Sequence, residues 1–542
     1  MLDFSDQAHG EERLSARLTE RVLATACLLL FLLLALVLLC FPYGADQAIF
    51  ALIARGLLAG QTLYVDVWDV KPPGTFLFYM LSQALFGTST HGIRILELGC
   101  HVAFGVGSFF LLRRQTSYLS SLIAATLVLH AAVLSGYWHT AQSEVFVGFL
   151  LFGAMALLYP ELQSGSPKPP PEARGRILIA GLAVGLCGLI KPFYVLPGLI
   201  CLGWACVAHR RGHGTSEAVR AGAWGALGII ALPALVFGIL ALQGGIPAFL
   251  ETFFGVAVEL AKAGFGGMAF GDTFFQVIRY VFLYFPPPLL IGLFAYLYLH
   301  GSSSAPDGRF LALFLLSMIL VIAIQGKFYP YHYQVMLPVL GFLAALGWWE
   351  LLQRCPGGIK RLALALGLFA SFFVSSWEDY QRNGSWTRTA GEVISSLFID
   401  GQGADEIQAF DTWPSSRQDL REVSALIRNN TRPEDQIQVL GFDPLVYIDS
   451  GRDCATRFLS TTPIRLSALQ DKWTPRLIAE MEANPPAALI VPLNDRMGWT
   501  LDNNLSSAEV LEQSPALQAF VATKYELLHE SDAHMVFVRR RP

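Results

Sequence analysis

Long apolar runs constrain this chain more than any other feature. The hydrocarbon core of a bilayer is about 30 Å thick, so a spanning helix needs about 20 mostly apolar residues. About eleven runs of near that length follow one another. They lie near 22–42, 92–112, 117–135, 144–160, 176–190, 192–208, 221–243, 277–299, 309–325, 333–352 and 362–377. Hydrophobic residues make up 54% of the 542 residues and charged residues only 15%, with mean hydropathy +0.47. A soluble domain carries about a quarter charged residues. The runs therefore predict a polytopic α-helical membrane protein, and the net charge of −4 argues against a nucleic-acid partner.

Basic residues mark the cytoplasmic side of membrane proteins. Arg13, Arg17 and Arg21 precede the first run, which predicts a cytoplasmic N-terminus. Alternation puts Arg113-Arg114, Lys168, Arg174 and Arg176 on the same face, with Arg210, Arg211, Arg220, Arg309, Arg354, Lys360 and Arg361. An odd number of spans then places the C-terminal tail outside, in the periplasm or extracellular space. The first run has no small-x-small cleavage site, and Leu39 is too large to precede a lipidated Cys40, so it reads as a retained anchor. Cys27, Cys40, Cys100, Cys187, Cys201 and Cys206 lie in apolar runs, and Cys355 in a cytoplasmic loop. Cys454 stands alone in the tail, so no disulfide forms within it. No pair has metal-ligand spacing. These features fit a bacterial inner (plasma) membrane.

Residues 1–377 read as the membrane module and 378–542 as a polar outer domain. The tail opens with an irregular linker, 377–414. Arg417–Asn429 then has helical spacing, Gln436–Gly441 reads as a strand entering a turn, and Thr474–Glu482 as helix. Ala487–Val491, Tyr525–His529 and Met535–Arg539 read as strands. The alternation predicts a small α/β domain.

Tyr43–Gly87 directly follows the first run, yet carries Asp46, Arg55, Asp66, Asp69 and Lys71, then Pro72-Pro73-Gly74. Ala48–Leu58 is amphipathic, and Thr75–Phe86 is apolar but too short to span. Both suit helices lying in the interface plane. Tyr64, Trp68, Phe76, Phe78 and Tyr79 are aromatics suited to headgroup depth. The two helices would frame a cleft with Asp46 and Lys71 at its rim. Transfer of a sugar from a lipid phosphate needs a carboxylate base, cations for the phosphate, an apolar groove and a site at the membrane boundary. This segment can supply all four.

The order and side of these elements resemble the C-type glycosyltransferase superfamily. The likeness is to the bacterial branch related to protein O-mannosyltransferases and lipid A aminoarabinose transferases (glycosyltransferase family 39-like). The matching residues are Asp46, the run 54–64 (ARGLLAGQTLY), Asp66, Asp69, Lys71–Gly74, Leu85–Gly87 before His91–Arg94, Ser143-Glu144, and Lys327–Tyr333 before Leu337-Pro338. The resemblance implies that Asp46 is the catalytic base and Lys71 a ligand of the donor phosphate. The sequence departs from the pattern at Gln47, where many relatives have a second acid, and at Val70, where the lipid A branch often has an acid. Both departures weaken a metal-assisted or lipid A-specific reading.

Other residues carry weaker signals. Lys191 precedes Pro192 in a short outer turn, and Lys327 and His332 sit among tyrosines on the outer face; each can meet phosphate, and snorkelling or interface anchoring explains them as well. Asp66 and Asp69 can shape the loop as readily as act in it. Arg55 and Glu144 are supporting candidates, as is Arg279, which lies in an apolar run and by default faces a polar cavity. His101, His130 and His139 read as structural. Gly244–Asp272, with Glu251, Glu259 and Lys262, reads as a mobile lid.

The expected protein is an inverting glycosyltransferase. It moves a sugar from a polyprenyl-phosphate donor to a lipid, glycan or protein acceptor of the cell envelope, on the outer face. The sequence demands no cofactor and no metal ligand set, and a divalent metal stays open. The rivals are a lipid-linked sugar transporter or flippase, an oligosaccharide ligase or polymerase, and a membrane scaffold whose tail does the work. A transporter usually shows repeated halves and broken helices meeting mid-membrane, which are not evident here.

Overall fold

The computed structural model describes residues 4–113, 116–162, 173–263, 270–299, 307–355, 358–374, 386–401, 407, 410 and 413–540. Arg114, Lys168, the end of the 362–377 run and parts of the 377–414 linker lie outside the described residues. The first six elements relevant to the site are α1 (Phe4–Leu39), α2 (Ala45–Leu58), α3 (Gly74–Phe86), α4 (Thr90–Leu112), α5 (Tyr118–Leu134) and α6 (Ser143–Leu157). Helices Ala173–Ile190, Val195–His213, Thr215–Leu242, Gly308–Gln325, Leu337–Arg354 and Gly358–Ser371 follow, so every apolar run falls on helix.

Six helices among the described residues are long and apolar enough to cross a membrane, or seven if one bent pair counts as a single span. The expected count of about eleven exceeds that number; α5 and α6, for instance, are shorter apolar helices. The 277–299 run is not one helix. It divides into Phe270–Tyr284 and Pro287–Leu299, bent by 116°. Pro286, Pro287 and Pro288 sit at the break. Proline lacks the N–H of the helix ladder and clashes with the preceding turn, so hydropathy continues where the helix cannot.

Two apolar clusters organise the molecule. The first joins α1, α5, α6 and the later spans, with Trp386 and Phe410 of the tail packed into it. The second joins Tyr43, Ile49, Phe50, Trp68, Phe76 and Tyr79 to Val439, Tyr447, Phe458 and Trp473 of the tail. α2, expected as an amphipathic helix, is buried on nearly every side and not on one face alone. Ala45, Gln47, Ala48, Ile49, Phe50, Ala51, Leu52, Ile53 and Ala54 are all buried, because the tail covers the face that would otherwise meet water or lipid headgroups. α3 keeps a one-sided character: Phe76 and Tyr79 are buried while Leu81, Leu85 and Phe86 are exposed.

The tail holds a four-stranded sheet of β1 (Ile437–Val439), β2 (Ala488–Pro492), β3 (Tyr525–Glu530) and β4 (His534–Arg539), in the order β1-β2-β4-β3. β1 and β2 are parallel, and the other neighbours are antiparallel. β2 is buried at every residue, as a central strand covered on both faces must be. Helices Arg417–Asn430 and Ser467–Ala483 flank the sheet at the expected places.

The tail docks on the 62–71 loop. Trp68 N–H donates to the Arg457 carbonyl at 3.0 Å, and the Trp68 ring lies 5.5 Å from Phe458 and 5.2 Å from Trp473. Its indole N–H donates to Thr252 Oγ1 at 2.9 Å. Residues 246–262, expected as a lid loop, are helical, and Glu251 there pairs with Lys472 at 2.8 Å and Arg476 at 3.1 Å.

Candidate active site

α2 begins immediately after α1, with Asp46 in its first turn. The helix dipole favours a carboxylate there. The entry is pinned by Gln47. Its amide oxygen accepts from Gly44 N–H, and its amide nitrogen donates to the carbonyls of Tyr137 at 2.9 Å, Trp138 at 3.2 Å and Thr140 at 2.5 Å. A carboxylate at this position could not donate to those carbonyls. The departure seen in the sequence is thus a fastening of α2 to the α5–α6 connection.

A second buried unit supports the same connection. Arg94 and Glu97, one turn apart on α4, are both fully buried. Arg94 donates to the carbonyls of Phe41, Pro42 and Tyr137, to Thr140 Oγ1 and to Glu97. Glu97 in turn accepts from Ala141 N–H at 2.9 Å. The sequence reading quoted Arg94 only within a motif and missed Glu97. An Arg and a Glu at i and i+3 in an apolar helix were the available signal, because intramembrane charges pair.

Lys71 comes from the other side. Gly74, at the start of α3, allows the approach: a Cβ there would lie 2.6 Å from the Leu189 carbonyl carbon and 2.7 Å from Ile190 N. This close passage sets the Lys71 loop against the residues just before Lys191. Tyr64 holds the loop from within, its hydroxyl donating to the Lys71 carbonyl at 2.8 Å.

Asp46, Lys71, Asp69, Glu144, Lys191, Tyr329 and Tyr331 share one electrostatic neighbourhood. Among the described residues, the side chains of Asp46 and Lys71 make no hydrogen bond or ion pair. The Lys71 ammonium lies 5.9 Å from the Phe50 ring centroid and 6.0 Å from that of Tyr331. Burial alone would lower its pKa, but Asp46, Glu144 and Asp69 outweigh burial and hold it above the ordinary lysine value. Asp69 sits behind it. One oxygen accepts from Val70 N–H and the other is buried without a partner, and burial lifts the carboxyl to about 6.

Glu144 and Lys191 form the back wall. They pair at 2.5 Å, Lys191 also donates to Gln325 Oε1 at 2.7 Å, and the Tyr194 hydroxyl donates to Glu144 at 3.3 Å. His332 lies 3.8 Å from the same carboxylate. Gly148 lets α6 approach residues 334–335, since a Cβ there would lie 2.7 Å from the Gln334 carbonyl oxygen.

The remaining candidates lie elsewhere. Lys327 is buried beneath the 246–263 segment, donates to the Ala263 carbonyl, and is lowered by burial to about 8. Arg55 pairs with Asp453 of the tail, and Asp66 accepts from Thr62 N–H within its own loop. Arg279 is exposed on Phe270–Tyr284, beside Gln276 and Tyr280. His101 and His130 are buried against Phe149 and Phe372. Among the described residues, no group of three or more His, Cys, Asp or Glu side chains is placed to hold a metal ion.

Fold and site together define a multi-pass, mainly helical membrane protein with a cluster of charged side chains and a small C-terminal sheet. Two crystal structures of ArnT from Cupriavidus metallidurans are similar to it. The form bound to undecaprenyl phosphate superposes with a TM-score of 0.57 at 14% sequence identity, covering 95% of this chain and 97% of that one. The apo form gives 0.54 at 16% identity, covering 95% and 98%. The chain thus has an ArnT-like fold from end to end. No protein-family model and no curated protein sequence matches it.

Proposed function

We propose that the protein is a membrane glycosyltransferase that takes a sugar from a polyprenyl-phosphate donor. One observation carries the reading: a half-buried carboxylate, Asp46, and a half-buried cation, Lys71, lie in one electrostatic neighbourhood, and neither makes a side-chain hydrogen bond or ion pair among the described residues. Buried or half-buried charge left unpaired is costly and marks a place where a ligand completes the pairing. The fold shared with a protein that binds undecaprenyl phosphate supports the choice of donor.

In this reading the donor phosphate lies against Lys71, with Lys191 behind it. Glu144 holds Lys191 in place, and His332 abuts Glu144. The acceptor hydroxyl or amine gives its proton to Asp46 and attacks the anomeric carbon. The bond from that carbon to the phosphate oxygen breaks, and polyprenyl phosphate leaves with the bonding electrons, stabilised by the two ammonium groups. One displacement inverts the anomer. The membrane module is 1–377 and the outer domain 378–542. The cleft and tail face the periplasm or exterior of an inner membrane, with the N-terminus cytoplasmic.

The test compares membranes carrying the wild type or Asp46→Asn, given a panel of polyprenyl-phosphate sugars and an envelope lipid and glycan extract. Release of free polyprenyl phosphate by the wild type should fall by about 10²–10⁴-fold in the variant. Equal release would remove Asp46 from the mechanism. No release from any donor, with both proteins folded, would overturn the transferase reading.

A further inference from the structure

A line of partly exposed aromatic rings leads away from the charged cleft. Trp138 packs on Gly44, two residues before Asp46; a Cβ on Gly44 would lie 2.9 Å from its ring. Trp138 meets Trp413 at 5.9 Å, and Trp413 meets Trp499 at 5.5 Å and Phe442 at 5.9 Å. Trp138 and Trp413 are half-buried, and Trp499 is 44% exposed. The residue after Trp499 ties this patch to the cleft: Thr500 Oγ1 and the Tyr329 hydroxyl are 2.6 Å apart.

The rings stand on a buried polar network. Ser415, two residues after Trp413, donates to Asp443 Oδ2 at 2.6 Å. His534 Nε2 lies 2.9 Å from both that oxygen and Ser415 Oγ. Asp443 directly follows Phe442, whose N–H donates to Asp495 at 3.0 Å; Asp495 is held by Arg465 at 2.9 Å and precedes Trp499 by four residues. Ser415, Asp443, Asp495 and His534 are all at most 2% exposed. This buried network ties the segments bearing Trp413, Phe442 and Trp499 to one another, while Asp443 Oδ1 and His534 Nδ1 have no hydrogen-bond partner among the described residues.

The surroundings name the ligand class. Asn494, Arg496, Asp502 and Asn504 around Trp499 are exposed to solvent, so the indole stands in a polar surface. Arg496 is paired with Glu509 at 2.7 Å, which leaves the turn poorly equipped for a phosphate. A hydrophilic ligand with one apolar face fits. A pyranose ring has such a face: its axial C–H groups carry partial positive charge and lie on the negative face of an indole, while its hydroxyls reach the polar rim.

We propose that Trp413 and Trp499, backed by Trp138 and Phe442, form a subsite that stacks a pyranose ring of a carbohydrate acceptor and presents the neighbouring sugar to the cleft. The acceptor role rests on the transferase reading above. The test uses the full-length protein in lipid nanodiscs as wild type, Trp499→Ala and Trp499→Phe. Cello-, manno-, malto- and chito-hexaose serve as probes, read by calorimetry and saturation-transfer NMR, with polyprenyl phosphate binding measured separately. At least one hexaose should bind the wild type. Trp499→Ala should weaken it about tenfold, and Trp499→Phe should recover most of the affinity. Polyprenyl phosphate should bind all three proteins equally. Equal hexaose affinity in wild type and Trp499→Ala, or no binding by any hexaose, would overturn the subsite. So would quenching of Trp499 by brominated lipid in the disc, which would make it a membrane anchor. Failure of polyprenyl phosphate to bind the wild type would instead overturn the transferase reading, and the acceptor role with it.

Discussion

Arg94 is fully buried and places its guanidinium on three backbone carbonyls, a threonine hydroxyl and Glu97; the ammonium of half-buried Lys71 meets only the rings of Phe50 and Tyr331, with no hydrogen bond or ion pair among the described residues. Both are cations at the edge of the same apolar helices, and both serve the first turn of α2. Arg94 and Gln47 fasten the backbone from which Asp46 projects, whereas Lys71 is coupled to Asp46 by charge without a hydrogen bond or ion pair among the described residues. The contrast separates scaffold from site. Where every donor has an acceptor, charge fixes a position. Where a cation and a carboxylate lie near each other without pairing, charge is left over, which the proposed function assigns to a ligand.

Breaking the satisfied side should have the largest effect. Arg94→Leu leaves Glu97 buried with its counter-charge gone, at a cost of about 3–5 kcal/mol. Melting temperature and folded yield in detergent should drop sharply, and the double variant Arg94→Leu/Glu97→Leu should regain part of the loss. An unchanged melting temperature in the single variant would mean that this pair is not scaffold.

Lys71→Met probes the unsatisfied side. Loss of a charge-assisted phosphate contact costs about 1.5–3 kcal/mol, so polyprenyl phosphate should bind about 10–100-fold more weakly while the melting temperature holds. The opposite result, a lower melting temperature with unchanged binding, would merge the two regions into one structural network.

The smallest expected effect is a pH dependence. Burial raises the folded Asp69 carboxyl to about 6, so the folded state holds that proton more firmly than the unfolded chain. The stability this confers is fully present below about pH 4, the ordinary Asp value, and is lost as pH rises through about 6. Asp69→Asn has no such proton. Between about pH 4 and 6.5, wild-type stability should therefore fall relative to the variant. Parallel melting curves would show that Asp69 is not held in this way and belongs with the solvated loop acids such as Asp66.

Local physics accounts for what the sequence made legible. The apolar runs became helices because length and hydropathy are properties of contiguous residues. The tail strands β1 to β4 fell within a residue or two of their expected places for the same reason. Asp46 and Lys71 were visible because charge beside a long apolar run is conspicuous. The break at Pro286–Pro288 was equally local, and hydropathy passed over it as it passed over the short length of α5 and α6.

The rest depends on segments far apart in the chain. The Lys71 loop meets the residues before Lys191 at Gly74, and the helix bearing Glu144 meets the segment after His332 at Gly148, close backbone passages that no periodicity records. Gln47 looked like a missing acid until the 137–140 carbonyls appeared opposite it. Lys327 and Arg279 were expected from residue type and position in the apolar pattern, but packing placed one against the 246–263 segment and left the other exposed. Trp138, Trp413 and Trp499 form one surface only after the tail folds back over α2. The sequence alone determined that this is a helical membrane chain with a charged first loop, because apolar runs and the charges beside them are written residue by residue. Which charges stay unpaired in that loop, and what covers it, was decided by tertiary structure, because pairing depends on the neighbours that folding supplies.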